Sequence, residues 1–171
     1  MPGFLGGDVL GSSSQLNLFS DGLIRGNFAV GPIDGSGSNV EMNVFGGFIE
    51  DSVTAYAGSV INFSGGIIAT SSTEQLAAEG GVINMTGGTL NAGGFARDGG
   101  TCNMSGGSIG SRFASGQLVS QAGGTVNLTG GTVRDRIFAT DDSVFNVSGG
   151  TFGRETEART GADLRLIGNS F

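Results

Sequence analysis

Acidic side chains and one cysteine are the reactive groups of this 171-residue chain, because it has no histidine and all eight basic residues are arginine. Asp98 and Asp141 each lie fourteen residues after a recurring asparagine, and Asp142 follows directly. If the repeats stack like neighbouring strands, Asp98 and Asp141 lie about 9–10 Å apart, a loose match to the carboxyl groups of an inverting glycosidase. Asp-Gly-Gly and Asp-Asp-Ser are also ordinary turn sequences, and we expect turns here.

The composition excludes most other chemistry. Without histidine or lysine, the chain lacks the base of most catalytic triads and the amine of Schiff-base sites. The single Cys102 makes neither a disulfide nor a thiolate metal site, and the acids are too scattered for calcium. A net charge of −7 argues against nucleic acid, and no apolar run approaches the roughly 20 residues of a membrane span. We therefore expect no catalytic residue, cofactor or metal.

A short frame recurs along the chain: an apolar residue, asparagine, a second apolar residue, serine or threonine, and two glycines. It is clearest as INFSGG, INMTGG, CNMSGG, VNLTGG and FNVSGG, with weaker copies at both ends and arginine replacing the asparagine in the last. The central positions are Asn17, Asn43, Asn62, Asn84, Asn103, Asn127, Asn146 and Arg165. Four of the seven intervals are 19 residues, and the others are longer by three, five or seven. A fixed unit with insertions at one place predicts a solenoid.

Side chains of a strand alternate between its two faces, so each unit can be assigned an inside and an outside. Both neighbours of every central residue are apolar, and another apolar column lies six positions further on. These columns predict the core, and they turn the asparagines outward. A looser third region is formed by Phe28, Val53, Phe113 and Ile137, followed by Ala55, Ala96, Ala139 and Ala158. The Gly-Gly pair permits a sharp corner.

These features predict an all-β, single-stranded right-handed parallel β-helix of about eight coils, each of 19–24 residues. A left-handed β-helix is the alternative; it usually repeats in strict hexapeptides, whereas a 19-residue coil with insertions favours the right-handed form. Residues 1–14 are expected to form a partial first coil or lead-in, and residues 15–171 the repeats.

The repeats over 15–171 resemble the pectate-lyase-like right-handed parallel β-helix superfamily. They are more closely similar to the Gly-rich NxSGGT-type repeats of bacterial secreted and autotransporter-like surface proteins. This resemblance implies a secreted or cell-surface location. Polysaccharide lyases and hydrolases of this fold use clustered acids, often with calcium, and no such motif is present here. We also expect the chain to be a piece of a longer exported protein, or to have its ends covered by another subunit.

The register makes a prediction about charges. Asp135 would face Arg154 and Arg136 would face Glu155 on adjacent coils, while Arg112 would lie beside Arg136. We expect these residues to set register and solubility, because exposed pairs contribute only about 0–1 kcal/mol.

The outward stripe of the middle coils is the candidate ligand or association face. Its residues are Asn62, Asn84, Asn103, Asn127 and Asn146, with Thr86, Thr101, Thr125 and Thr129 beside them. Stacked asparagines can form an amide ladder that stabilises the stack; the same neutral face could recognise a sugar polymer, ice or another subunit. The five asparagines also stand in N-x-[ST] sequons, but a regular ladder is a poor glycosylation acceptor.

The sequence predicts a non-catalytic structural or adhesive β-solenoid segment of a bacterial extracellular or cell-surface protein. A carbohydrate-active β-helix, either lyase-like or glycan-binding, is the first alternative, and an ice-binding face is the second. As partners we expect a second copy of the chain or a polysaccharide.

Overall fold

A computed structural model describes residues 4–6, 9–69, 74–91, 93–111 and 116–168. Across these residues the chain forms short strands and no helix, and the strands line up in three parallel sheets of eight. Each turn of the chain contributes one strand to each sheet in succession. The protein is therefore an all-β solenoid of about eight turns, as predicted, while the right-handed sense stays a prediction.

The asparagine sheet carries the central residue of each repeat. It consists of β3 (Gln15–Leu18), β6 (Val40–Val44), β9 (Ser59–Phe63), β12 (Val82–Met85), β15 (Thr101–Met104), β18 (Thr125–Leu128), β21 (Val144–Val147) and β24 (Asp163–Leu166). We number coils 1 to 8 from these strands.

The other two sheets complete each coil. The second sheet follows the Gly-Gly corner and consists of β1 (Phe4–Gly6), β4 (Leu23–Arg25), β7 (Phe48–Ile49), β10 (Ile67–Ile68), β13 (Thr89–Leu90), β16 (Ser108–Ile109), β19 (Thr132–Val133) and β22 (Thr151–Phe152). The third sheet consists of β2 (Val9–Leu10), β5 (Phe28–Val30), β8 (Val53–Tyr56), β11 (Glu74–Glu79), β14 (Gly93–Arg97), β17 (Gln117–Ser120), β20 (Arg136–Ala139) and β23 (Glu155–Ala158).

The predicted inward columns form one continuous core between the three sheets. On the asparagine sheet both neighbours of each asparagine are buried from coil 2 to coil 7, and Ile24 to Val133 fill the column six positions further on. Alanines stack in the third sheet, with Ala78, Ala96 and Ala139 fully buried. Leu166 departs from the prediction at 50% exposure, because its strand β24 has a neighbouring strand on one side only.

Both glycines of the corner are required for space, and the second is required for its backbone conformation as well. A Cβ on the first glycine, such as Gly106, would lie closer than 3.0 Å to the carbonyl oxygen of Thr86 in the preceding coil. The second glycine, Gly107, has a φ of 83°, in the left-handed region that side chains disfavour. The corner therefore allows consecutive coils to approach at backbone contact.

The extra residues of the long coils lie at three places, which corrects the expectation of a single insertion point. In coil 1 one residue lengthens the corner before β4, and the others form the loop 31–39 between β5 and β6. In coils 3 and 5 the extra residues lie between the second-sheet and third-sheet strands. The larger insertions border the third sheet and leave the Gly-Gly corners of coils 2 to 7 untouched. Spacing alone could not locate them, because it counts residues per coil and not their position within it.

The displaced insertion changes one predicted neighbour. Gln117, not Arg112, is the register partner of Arg136 on the preceding coil. Arg112 itself lies outside the described residues.

The same shift affects the inner column of the third sheet. Leu118 occupies the position beside Ile137 that the sequence assigned to Phe113. Phe113 and Phe171, two expected core residues, lie outside the described residues.

Across the described ranges, no helix is both long enough and apolar enough to cross a membrane.

Candidate functional site

The asparagines form an unbroken amide ladder on the outer face of their sheet. From Asn43 to Asn146, each side-chain Nδ2 donates a hydrogen bond to the Oδ1 of the preceding coil's asparagine, over 2.8–3.0 Å. The strands place these residues opposite one another, so parallel pairing sets the register and the amides reinforce it. The outward placement of the asparagines is confirmed.

We define the ladder face as the outward residues two before, at and two after each central position. The first column is Gln15, Glu41, Val60, Val82, Thr101, Thr125, Val144 and Asp163. The second is Asn17, Asn43, Asn62, Asn84, Asn103, Asn127, Asn146 and Arg165. The third is Phe19, Phe45, Ser64, Thr86, Ser105, Thr129, Ser148 and Ile167. From coil 3 to coil 7 the face carries no charged residue.

The serines and threonines of the third column are exposed to solvent. Thr86 and Thr129 are exposed, whereas Thr101 and Thr125 in the first column are half-buried. Ser64 and Thr129 donate their hydroxyls to main-chain carbonyls of the preceding coil, at 3.1 and 3.4 Å. All nine predicted face residues therefore lie together on one face of the solenoid.

The ladder uses only part of each amide. Within the described chain, the second N–H of Asn84, Asn103, Asn127 and Asn146 has no protein partner, and no buried polar side-chain atom is left unsatisfied. A row of outward N–H groups is therefore open to water or to a ligand. The same Nδ2 atoms would be the acceptors if the sequons were glycosylated.

Glu41 extends the polar network at the start of the ladder. Its carboxylate accepts hydrogen bonds from Asn62 Nδ2 at 3.0 Å and from Gln15 Nε2 at 3.1 Å. At the other end Arg165 takes the ladder position and bonds the carboxylate of Asp163 in its own strand. Charged residues therefore lie on both sides of the neutral middle, outside the five central coils from which the face was predicted.

Two exposed aromatic residues lie beside the first asparagines. Phe19 and Phe45 are 61% and 55% exposed, and their rings stack with centroids 5.3 Å apart. In the last coil the same column holds Ile167, which is 54% exposed. Extending the third column to all eight coils would have found these residues in the sequence.

The acids considered for catalysis are turn residues. Asp98, Asp141 and Asp142 are exposed and have positive φ values of 53–57°. Ala122 occupies the equivalent corner of the coil between them, with a φ of 47°. Left-handed backbone at a tight turn explains these aspartates, because Asp adopts it more readily than most residues.

Cys102 packs in the core, as predicted. Burial raises the pKa of its thiol to about 12, so the reactive thiolate is suppressed at neutral pH. Across the described positions, no group of three or more acidic or cysteine side chains could hold a metal ion.

The two predicted charge pairs, Asp135 with Arg154 and Arg136 with Glu155, face each other on adjacent coils, but their side chains do not form the predicted ion pairs. Arg136 and Glu155 are register partners, yet Arg136 Nε donates to Gln117 Oε1 at 2.9 Å. Arg154 meets Asp135 through a main-chain hydrogen bond. Within the described ranges neither pair forms a side-chain ion pair.

The guanidinium of Arg136 turns toward an apolar cluster on the outer face of the third sheet. Ala77, Phe95 and Val119 are buried there, and Phe138 packs against them. Arg136 and Arg159 lie 5.3 and 4.8 Å from the Phe138 ring centroid. Cation–π attraction and aromatic cover therefore replace the expected ion pair.

An ion pair lies on the same outer face, two residues further along each strand. Arg97 Nε donates to Glu79 Oε1 at 2.8 Å, and Glu79 is the register partner of Tyr56. Burial, and then the neighbouring Glu79 carboxylate, raise the pKa of Tyr56, while Arg97 opposes them.

The chain matches no protein-family model, no curated protein and no solved structure. The β-solenoid and its ladder face therefore define what can be argued about function.

Proposed function

We propose that this chain is a non-catalytic structural or adhesive β-solenoid segment of a bacterial extracellular or cell-surface protein, and that the ladder face is its attachment surface. The observation that supports this proposal is the ladder face itself. An unbroken amide ladder lies between two columns that carry no charge over five coils. Outward amide and hydroxyl groups at a regular spacing of about 4.8 Å can bind a partner whose own polar groups repeat regularly.

The positions of the reactive side chains also favour a non-catalytic role. The acids considered for catalysis lie in turns, the single thiol is buried, and no metal-binding group is found among the described residues. A neutral face can approach another neutral surface without the desolvation cost of burying unpaired charges.

A retention assay tests this proposal. Beads carrying the chain at low density would be washed over immobilised neutral and uronate polysaccharides. We expect retention on at least one polymer, reduced at least tenfold by Thr101→Arg, which places a charge on the ladder face. Thr132→Arg makes the same exchange on the second sheet and serves as the matched control. Absence of retention, or equal loss in both variants, would overturn the attachment role.

A carbohydrate-active enzyme is the main alternative, and the same polymers distinguish it. We expect no new reducing ends and no absorbance from unsaturated uronate products during incubation. Turnover on any polymer would replace the proposed scaffold with a catalytic β-helix.

Ice binding is the second alternative, because the face repeats amide and hydroxyl groups regularly. Thermal hysteresis of the parent chain decides it. If the parent chain shows thermal hysteresis, its loss in Asn103 and Thr125 variants would locate ice binding on the ladder face. If the parent shows none, ice binding is excluded.

A further inference from the structure

We propose that the ladder face binds the ladder face of a second copy of this chain in antiparallel orientation, so that coil 1 of one copy meets coil 8 of the other. This inference rests on the proposed attachment role of the face and names its partner and geometry. The charges and exposed apolar groups at the two ends of the face favour this orientation.

Two symmetric arrangements bring two such faces together. When the two-fold axis runs along the strands, each column meets its own column and the order of coils is reversed. When it runs along the solenoid axis, each coil meets the same coil and the first column meets the third. The end residues fit one of these arrangements better than the other.

The parallel arrangement opposes charge with apolar surface. Glu41 would face Phe45 of the other copy, and Asp163 would face Ile167, twice each in the dimer. Burying these carboxylates against apolar groups costs hydration, and Arg165 would also face Arg165 of the other copy, so that like charges repel. This arrangement is therefore disfavoured.

The antiparallel arrangement avoids the arginine pair and covers exposed apolar side chains at the two ends of the face. Phe19 meets Ile167, so two side chains that are each more than half exposed cover one another. The polar pair of Gln15 and Asn17 meets Asp163 and Arg165, which already neutralise each other. In coils 2 and 7, Glu41 meets Val144 and Phe45 meets Ser148, and the Glu41 carboxylate keeps its hydrogen bonds to Gln15 and Asn62 of its own chain. Coils 3 to 6 bring hydroxyls, valines and asparagines together, including Thr101 against Val82 beside the two-fold axis.

The size of the face sets the expected strength. Three columns span roughly 13 Å, and eight coils span roughly 34 Å, or about 450 Å² of plane for each copy. The pair therefore buries about 900 Å² in total, which is below the roughly 1,200 Å² of stable specific interfaces and within the range of weak, transient ones. We expect a reversible dimer that dissociates on dilution.

Sedimentation of the full chain over a dilution series tests self-association. We expect a monomer–dimer equilibrium that Thr101→Arg weakens at least tenfold and that Thr132→Arg leaves within about twofold. A monomer at every concentration, or equal weakening by both variants, would overturn the proposal. Dimerisation without retention on any polysaccharide would leave the dimer standing and remove the adhesive role, so the two failures are distinguishable.

Cysteine cross-linking tests the orientation. Phe19→Cys chains mixed with Ile167→Cys chains should give a disulfide-linked dimer on mild oxidation, detected by mass under non-reducing conditions. Phe19→Cys mixed with Gln15→Cys reports the parallel arrangement and should give none. The buried native Cys102 does not compete. Linkage of the second mixture, or of neither when sedimentation shows a dimer, would overturn the antiparallel geometry.

Discussion

The asparagine side of each coil is nearly invariant, whereas the third-sheet side varies from coil to coil. On the asparagine side every strand except β24, which has Arg165, keeps its amide, and most keep the Gly-Gly corner. On the other side the outer column reads Thr54, Ala77, Phe95, Val119, Phe138 and Glu157, and all insertions except one residue at the corner of coil 1 lie beside it.

The difference follows from how neighbouring coils constrain each other. A ladder amide needs an identical amide above and below it, and a corner glycine needs space at the backbone of the coil before it. An outer apolar residue needs only some apolar neighbour, which Phe, Val or Ala supplies equally well. The repeated side therefore carries the register, and the variable side tolerates change.

The corner glycines should show the largest difference. A Cβ at Gly106 overlaps the backbone of Thr86, so Gly106→Ala requires two coils to separate. We expect a loss of more than about 4 kcal/mol in urea unfolding followed by circular dichroism. Gly99→Ala, at the variable corner, has a φ of +76° and nothing near its Cβ, and should cost only about 1–2 kcal/mol. Equal losses would contradict the distinction between the two sides.

Two phenylalanines compare the core with the outer face of the variable side. Phe145 is fully buried between the sheets, and Phe145→Ala should lower the free energy of unfolding by about 3–4 kcal/mol. Phe138 is half-buried beneath two guanidinium groups, and Phe138→Ala should cost about 1–2 kcal/mol. A cost at Phe138 as large as that at Phe145 would make the outer cluster a second core.

How far the sequence could predict this structure follows the same division. The spacing of the asparagines predicted the strands, the inward columns and the ladder, because identical contacts recur in every coil. Gln117 in the position expected for Arg112 could not be foreseen, since an insertion can be placed at either end of the third strand without changing the repeat length. Nor could the burial of Phe95 on an outward face, which depends on neighbours that differ in each coil.

Ladder amides and variable-side amides should respond differently to a charge. In Asn103→Asp the carboxylate faces Asn84 Oδ1 with no proton to donate, so we expect a loss of about 2 kcal/mol at neutral pH. This unfavourable contact raises the pKa of the new carboxyl in the folded state. The folded protein then binds the proton more tightly than the unfolded chain, so stability should recover as pH falls through that raised pKa.

The matched exchange on the variable side is Gln121→Glu. Gln121 is half-buried, follows the strand that pairs with β14 and has no side-chain bond within the described residues. We expect a change within about 0.5 kcal/mol. Urea unfolding at neutral and mildly acidic pH compares the two variants; a pH-independent loss in Asn103→Asp would mean that packing, not the ladder bond, is responsible.

The smallest expected effect is electrostatic and lies on the variable side. Tyr56 is the only tyrosine and the chain has no tryptophan, so phenolate absorbance reports on this one group. Its pKa is raised first by burial and then by Glu79. Glu79→Gln removes the second cause, so the pKa of Tyr56 should fall but remain raised by burial, as an alkaline ultraviolet titration would show. Glu50→Gln removes a different ion-paired carboxylate and should leave the titration unchanged. An unchanged pKa of Tyr56 in Glu79→Gln would mean that solvent screens the interaction between the Glu79 carboxylate and the Tyr56 hydroxyl. Charges on the variable side would then have no measurable effect on the neighbouring coil.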